Sequence, residues 1–209
     1  MTTSFDRLLG LLRGEVRGRV VLDVGTGSGR LALALAPISR RVIGIDVDPM
    51  ALEVARRRAL ENGLTNVEFR VLDADVEEYG ALGPGVVCAH LCMSDAIIER
   101  AGRVLAPGAP LGFVAFHADQ WRETGRRSRF AYDEEQVRRV LETAGFAVEH
   151  LTVDTEVRRF ESVEEGLALA IAMQEKWRAD GRWVRYLRVL EDGGRTLTTS
   201  HLVCLARRR

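Results

Sequence analysis

Three short segments in the first half of the chain carry glycines and acids in an order suited to holding a nucleotide-like ligand. Val21-Leu22-Asp23-Val24-Gly25-Thr26-Gly27-Ser28-Gly29 runs from an apolar stretch through three alternating glycines. At such a strand-to-helix junction, glycine permits a sharp turn and close ligand approach. The spacing is not the GxGxxG of dinucleotide sites, because Arg30 stands where the last glycine would be, and this weakens the case for a bound pyrophosphate. A purely structural glycine turn is the bland alternative. Asp46 closes the next apolar segment, about twenty residues beyond the first glycine, where a carboxylate can accept two hydrogen bonds from ribose hydroxyls. Its competing role, helix capping, falls more naturally to Asp48. Asp73 ends the third segment, Phe69-Arg70-Val71-Leu72-Asp73-Ala74-Asp75; it can read an exocyclic amine or serve as a turn residue.

A fourth segment, Cys88-Ala89-His90-Leu91-Cys92-Met93, carries the first titratable group placed to meet a substrate. His90 is the candidate catalytic residue, as a base that takes a proton from the acceptor; a ligand contact or a loop-orienting role competes with that. Leu91 packs either beside a ligand or in the core. Cys88 and Cys92 lack the spacing and histidine partners of a zinc site, so no metal is expected and the thiols read as small buried groups. The polar loop from His117 to Arg129 holds Trp121, Arg126, Arg127 and Arg129. Its arginines suit a carboxylate or phosphate and its indole a ring, while a solvated charge run is the plainer reading.

The elements that must position these residues follow from apolar periodicity and caps. A helix over Ser4–Leu12 precedes a strand at 19–24, a helix starting near Ser28 or Gly29 and stopping before Pro37, and a strand at Val42–Ile45. Asp48 with Pro49 opens a helix that Gly63 stops. Strands are expected at Val67–Val71, Val86–Ala89 and Leu111–Phe116, with a helix over Ser94–Leu105 before the last. Asp133 caps a helix ending at Gly145, Phe146–Val153 returns as strand, Ser162 opens a helix ending before Asp180-Gly181, and Leu197–Leu205 closes the sheet. Short connections and continuous apolar strands predict an α/β fold with a doubly wound, mostly parallel sheet in a single domain. Residues 154–196 are long for a connection, and their helical part reads as a substrate cap or as an outer packing helix.

At this point the chain resembles the class I S-adenosylmethionine-dependent methyltransferases, in particular their small-molecule branch, over roughly residues 20 to 153. The resemblance implies a seven-stranded Rossmann-like sheet and S-adenosyl-L-methionine as cofactor. It also implies that Asp23, Gly25, Thr26, Gly27 and Gly29 wall the aminoacyl part, that Asp46 and Val47 meet the ribose end, and that Asp73 and the Ala74 amide meet adenine. His90 and Leu91 complete the implied cofactor set. Arg103-Val104-Leu105-Ala106-Pro107-Gly108-Ala109 resembles the family's turn before the fifth strand, with Ala109 in place of the more usual second glycine. The family's Asn/Asp-Pro-Pro-aromatic tetrad is absent after the fourth strand, which disfavours methylation of adenine bases or protein glutamine. An RNA methyltransferase and a noncatalytic cofactor-binding regulator are the alternatives.

Composition bounds these readings. The chain has 209 residues, 46% hydrophobic and 29% charged, with 30 basic and 30 acidic side chains. Zero net charge gives no general field for nucleic acid or anionic membrane and favours a small-molecule acceptor. The clusters Arg56-Arg57-Arg58, Arg126-Arg127-Ser128-Arg129 and Arg207-Arg208-Arg209 keep local phosphate contact open. Lys176 is the only lysine beside 29 arginines, a bias read as genome composition or heat adaptation. From Met1 onward no signal-peptide core appears, and no apolar run approaches the roughly 20 residues of a membrane span. A cytoplasmic monomer or homodimer with no membrane partner is the expectation.

Overall fold

The structure, a computed structural model, describes residues 2–128 and 130–209; Met1 and Arg129 lie outside the described residues. Among the described residues eight strands build one sheet: β1 (Val20–Val24), β2 (Arg41–Asp46), β3 (Val67–Val71), β4 (Val86–His90), β5 (Pro110–His117), β6 (Ala131–Tyr132), β7 (Phe146–Arg159) and β8 (Thr196–Arg208). Seven of them lie on one hydrogen-bonded path, β3-β2-β1-β4-β5-β8-β7. The eighth, β6, pairs only with the end of β5 through Phe116–Ala131 and His117–Tyr132. The expected seven strands thus gain a two-residue strand, too short to carry a periodic signal. Strands β1 to β5 run parallel, and β8 pairs antiparallel with both β5 and β7.

Helices α1 (Ser4–Leu12), α2 (Arg30–Leu35) and α3 (Pro49–Glu61) cover one face of the sheet, where Leu8, Leu12, Leu31 and Leu52 pack with Val21, Val42 and Val114. Helices α4 (Asp95–Val104) and α5 (Glu134–Thr143) cover the other, where Ile98, Ala101, Val137 and Leu141 meet Leu22, Ile43 and Phe113. Successive residues such as Val21 and Leu22 feed opposite cores because strand side chains alternate, so both faces must be apolar. The expected caps form: the Asp48 carboxylate accepts from the Met50 amide at 2.9 Å, Asp133 from Gln136 at 2.7 Å and Ser162 from Glu165 at 3.2 Å.

The end of the chain departs from expectation. Strand β7 continues past Val153 to Arg159, because each of its residues from Asp154 to Arg159 finds a partner in β8 between His201 and Thr196. The charged run Asp154-Thr155-Glu156-Val157-Arg158-Arg159 does not read as buried strand because most of it faces solvent; its order comes from the ladder and from a Thr155–Ser200 hydroxyl bond of 2.7 Å. Helices α6 (Val163–Ala170), α7 (Gln174–Asp180) and α8 (Arg182–Glu191) then occupy the connection to β8. They gather a third apolar cluster of Phe160, Trp177, Trp183, Tyr186 and Leu190, separate from the two sheet cores. Among the described residues no helix is long and apolar enough to cross a membrane.

Candidate functional site

The order reversal at β1, which is flanked by β2 and β4, leaves a crevice at the strand ends, the usual ligand position in open α/β sheets. A cavity of about 430 Å³ lies there. Val24 and Gly25 line it from β1 and its turn, Asp46 and Val47 from the end of β2, and Leu72, Asp73, Ala74 and Asp75 from the segment after β3. Leu91 and Cys92 follow from β4, Ile97 from α4, Phe130 from the segment before β6 and Lys176 from α7.

Gly25 stands at φ +63°, and a side-chain carbon there would sit 2.7 Å from Cys92 Cβ, so the chain can pass only with glycine. Gly27, at φ +51°, donates its N–H to Asp46 Oδ2 at 2.7 Å, and the Asp48 N–H donates to Asp46 Oδ1 at 3.0 Å. Each Asp46 oxygen keeps a lone pair beyond these bonds, and their directions are fixed by backbone, which presets the carboxylate for a pair of hydroxyl donors. Val47 stays 62% exposed beside it, a bare apolar side chain on the wall suited to the face of a ring. Asp73 Oδ1 accepts from the Asp75 N–H at 2.9 Å. The amide of the buried Ala74 donates to no group among the described residues. An acceptor and an unclaimed donor one residue apart match the edge of an amino-substituted nitrogen ring.

Five residues expected at the ligand are not among those lining the cavity. Asp23 is buried beneath the loop, where its Oδ2 accepts from Thr26 Oγ1 at 2.6 Å and from the Ala32 N–H at 3.0 Å. Asp23 and Thr26 therefore brace the turn and the start of α2 rather than wall the cavity. Gly27 acts through its amide, and Gly29, at the N-cap of α2, faces Ala55 of α3. His90 is directed to the α1 side of the sheet, where its ring meets Phe5 edge-on at 5.3 Å, and it is not among the cavity-lining residues. Burial, then Arg30 and His201, bring its imidazole down to about 4, so it is neutral at physiological pH. The next residue, Leu91, takes φ +63° with its N–H on the Val114 carbonyl at 2.7 Å, and this strained turn carries Leu91 and Cys92 into the wall. The Cys92 thiol donates to the Val24 carbonyl at 2.9 Å and burial raises its pKa, so it is an inert wall group.

Burial raises the Asp23 carboxyl to about 7, against the opposing bonds from Thr26 and Ala32, with Asp46 adding repulsion. The folded state thus holds this proton more tightly than the unfolded chain, and the resulting stability is complete below about 4 and lost as pH rises through about 7. Asp23→Asn keeps an acceptor oxygen without the charge. It is expected to raise the melting temperature near pH 8 while leaving that near pH 4 almost unchanged; equal shifts at the two pH values would refute this account.

The polar loop after β5 is built into the protein. Trp121 packs on Trp177 at 5.2 Å and on Phe116 at 5.4 Å, so its indole serves the third cluster instead of a ligand ring. Gln120 and Glu123 accept from the Ser200 and Thr198 amides at 2.6 and 3.0 Å. Arg126 donates to the Asp180 carbonyl, and Arg127 to the Ala131 carbonyl and Gln136 at 3.0 and 2.9 Å. Arg56 and Arg58 are engaged by Phe69 O and Ser28 Oγ, Arg207 by Glu15 and Glu149, and Arg208 by the Gly102 and Gly145 carbonyls. Among the described residues no group of three or more His, Cys, Asp or Glu could hold a metal ion.

A family model described as a methyltransferase domain matches residues 15–186. Over 105 residues the chain is 39% identical to a ribosomal protein L11 methyltransferase of Deinococcus radiodurans, covering 46% of this chain and 38% of that protein. It is 35% identical over 112 residues to a ubiquinone biosynthesis O-methyltransferase of Thiobacillus denitrificans, covering 50% and 46%. The chain thus spans less than half the length of these curated relatives. A crystal structure of an S-adenosylmethionine-dependent methyltransferase from Mesorhizobium loti superposes with a TM-score of 0.65 at 18% identity, covering 99% of this chain and 98% of that one, a likeness of fold.

Proposed function

Because the chain belongs to the class I S-adenosylmethionine-dependent methyltransferase family, we propose that it transfers a methyl group from that cofactor to a small-molecule acceptor. The single observation that carries this reading is the wall made by Asp46, Val47, Asp73 and Ala74 at the ends of β2 and β3. Asp46 takes the ribose hydroxyls, Val47 covers a face of adenine, and Asp73 with the Ala74 amide takes the adenine edge. The Gly25–Gly27 turn, braced from below by Asp23, receives the aminoacyl end. When bound, the cofactor supplies a sulfonium methyl: the acceptor's lone pair bonds the methyl carbon as the carbon–sulfur bond breaks and its electron pair stays on sulfur.

The protein's own contribution is then positioning. Leu91 and Cys92 bound the reacting end with uncharged groups, and Phe130 and Lys176 close the far side. No proton transfer is assigned to His90, whose ring packs on Phe5. The named acceptors of the two relatives differ in class, a ribosomal protein and a ubiquinone precursor. What favours a small molecule here is the bounded cavity together with arginine clusters whose members are largely committed to protein partners. We read the helical part of residues 154–196 as a cap on the acceptor side of a single domain. The test is labelled-methyl transfer over a broad metabolite panel, with ribosomal protein and RNA as rival acceptors. Transfer to one class of metabolite is expected; S-adenosylhomocysteine binding with transfer only to protein or RNA would overturn the acceptor assignment.

A further inference from the structure

Helix α7 brings the only lysine of the chain, Lys176, to the cavity wall, where 13 of the 209 residues are found. Its neighbour Trp177 is 1% exposed in the third apolar cluster, which holds the backbone of Lys176 in place while its own side chain leaves from the outer face. Among the described residues the remaining charged lining groups are Asp46, Asp73 and Asp75. Among the described residues Lys176 forms no ion pair or hydrogen bond, although three carboxylates share its cavity. Everywhere else the chain uses arginine. At this wall a guanidinium would offer a planar fork that pairs bidentately with a carboxylate and could bridge the space, whereas an ammonium is a compact, hydrated point charge on a flexible stem. Asp46 and Asp73 line the cavity from the ends of β2 and β3, whereas Phe130 and Lys176 come to it from chain segments beyond β5.

We propose that Lys176 binds a carboxylate of the methyl acceptor and so selects acid-bearing small molecules; this rests on the methyltransferase reading above. The sole lysine makes the test direct. Reductive ¹³C-methylation, which keeps the positive charge, places one ε-amine reporter in the chain, distinct from the α-amine. The protein is saturated with S-adenosylhomocysteine and titrated with benzoate, phenylacetate and succinate, each matched by its carboxamide. At least one carboxylate is expected to shift the reporter saturably while its amide does not. By calorimetry in saturating S-adenosylhomocysteine, Lys176→Met is expected to weaken that carboxylate about tenfold or more, with Lys176→Arg restoring part of the loss. Equal responses to acids and amides, or a reporter that responds to S-adenosylhomocysteine alone, overturn the proposal and leave the methyltransferase reading intact. Absence of S-adenosylhomocysteine binding to the unmodified protein overturns that reading, and the proposal with it.

Discussion

Asp46→Ala is expected to weaken S-adenosylhomocysteine binding by roughly 30- to 1,000-fold, the equivalent of about 2–4 kcal/mol, for the loss of charge-assisted bonds to two hydroxyls. Two losses combine. The carboxylate disappears from the cavity wall, and the Gly27 and Asp48 amides lose the acceptor that holds the glycine turn to the end of β2. The fold should survive, since Asp46 lies at a strand end and both sheet cores are untouched. Asp46→Asn, which keeps one acceptor oxygen, should lose less. Calorimetric affinity for Asp46→Ala within a few-fold of the parent would remove Asp46 from the cofactor site.

Trp177→Ala should unfasten helices α6 to α8. Its indole contacts Trp121 at 5.2 Å, Tyr186 at 5.5 Å and Trp183 at 6.5 Å between ring centres. Removing a buried tryptophan ordinarily costs about 3–5 kcal/mol, and the lower end is expected here because the buried Trp177 Nε1–H has no partner among the described residues. The third cluster is small, so this loss is a large part of its cohesion. The expected result is fast proteolysis between α6 and α8 and loss of methyl transfer, with S-adenosylhomocysteine affinity nearly kept because Asp46 ends β2 and Asp73 and Ala74 follow β3, outside the third cluster. Unchanged proteolysis would mean that the helices are held by something other than this cluster. Equal loss of cofactor and acceptor binding would remove the division of labour between sheet and cap.

The cavity-lining strand ends were legible because local rules govern them. A glycine turn, an acid closing a short apolar strand and a proline at a helix start announce themselves within a few residues, and Gly25, Asp46, Asp73 and Ala74 all line the cavity. Asp23 and Thr26 belong to the same motif but point inward, because strand alternation and the tight turn decide which face each side chain takes. His90 was expected at the substrate on the same logic. It is one residue short of the bend: the turn at Leu91 throws Leu91 and Cys92 into the cavity and leaves His90 against α1. Ile97 and Phe130 carry no chemical signature of a site, and only packing brings them to the wall.

Sequence alone determined the doubly wound sheet, its caps and the strand ends that line the cavity, because these depend on periodicities of two and 3.6 residues and on backbone limits at single glycines and prolines. It also held one fact whose meaning it did not disclose, a single lysine among arginines. The tertiary structure decided the rest: that β7 runs on to Arg159 beside β8, that Trp121 closes an aromatic cluster with Trp177, and that Lys176 reaches a cavity whose lining from Val24 to Asp75 lies more than a hundred positions away in the chain. Such contacts join segments with no shared local pattern, and they exist only once the sheet has set the distances between them.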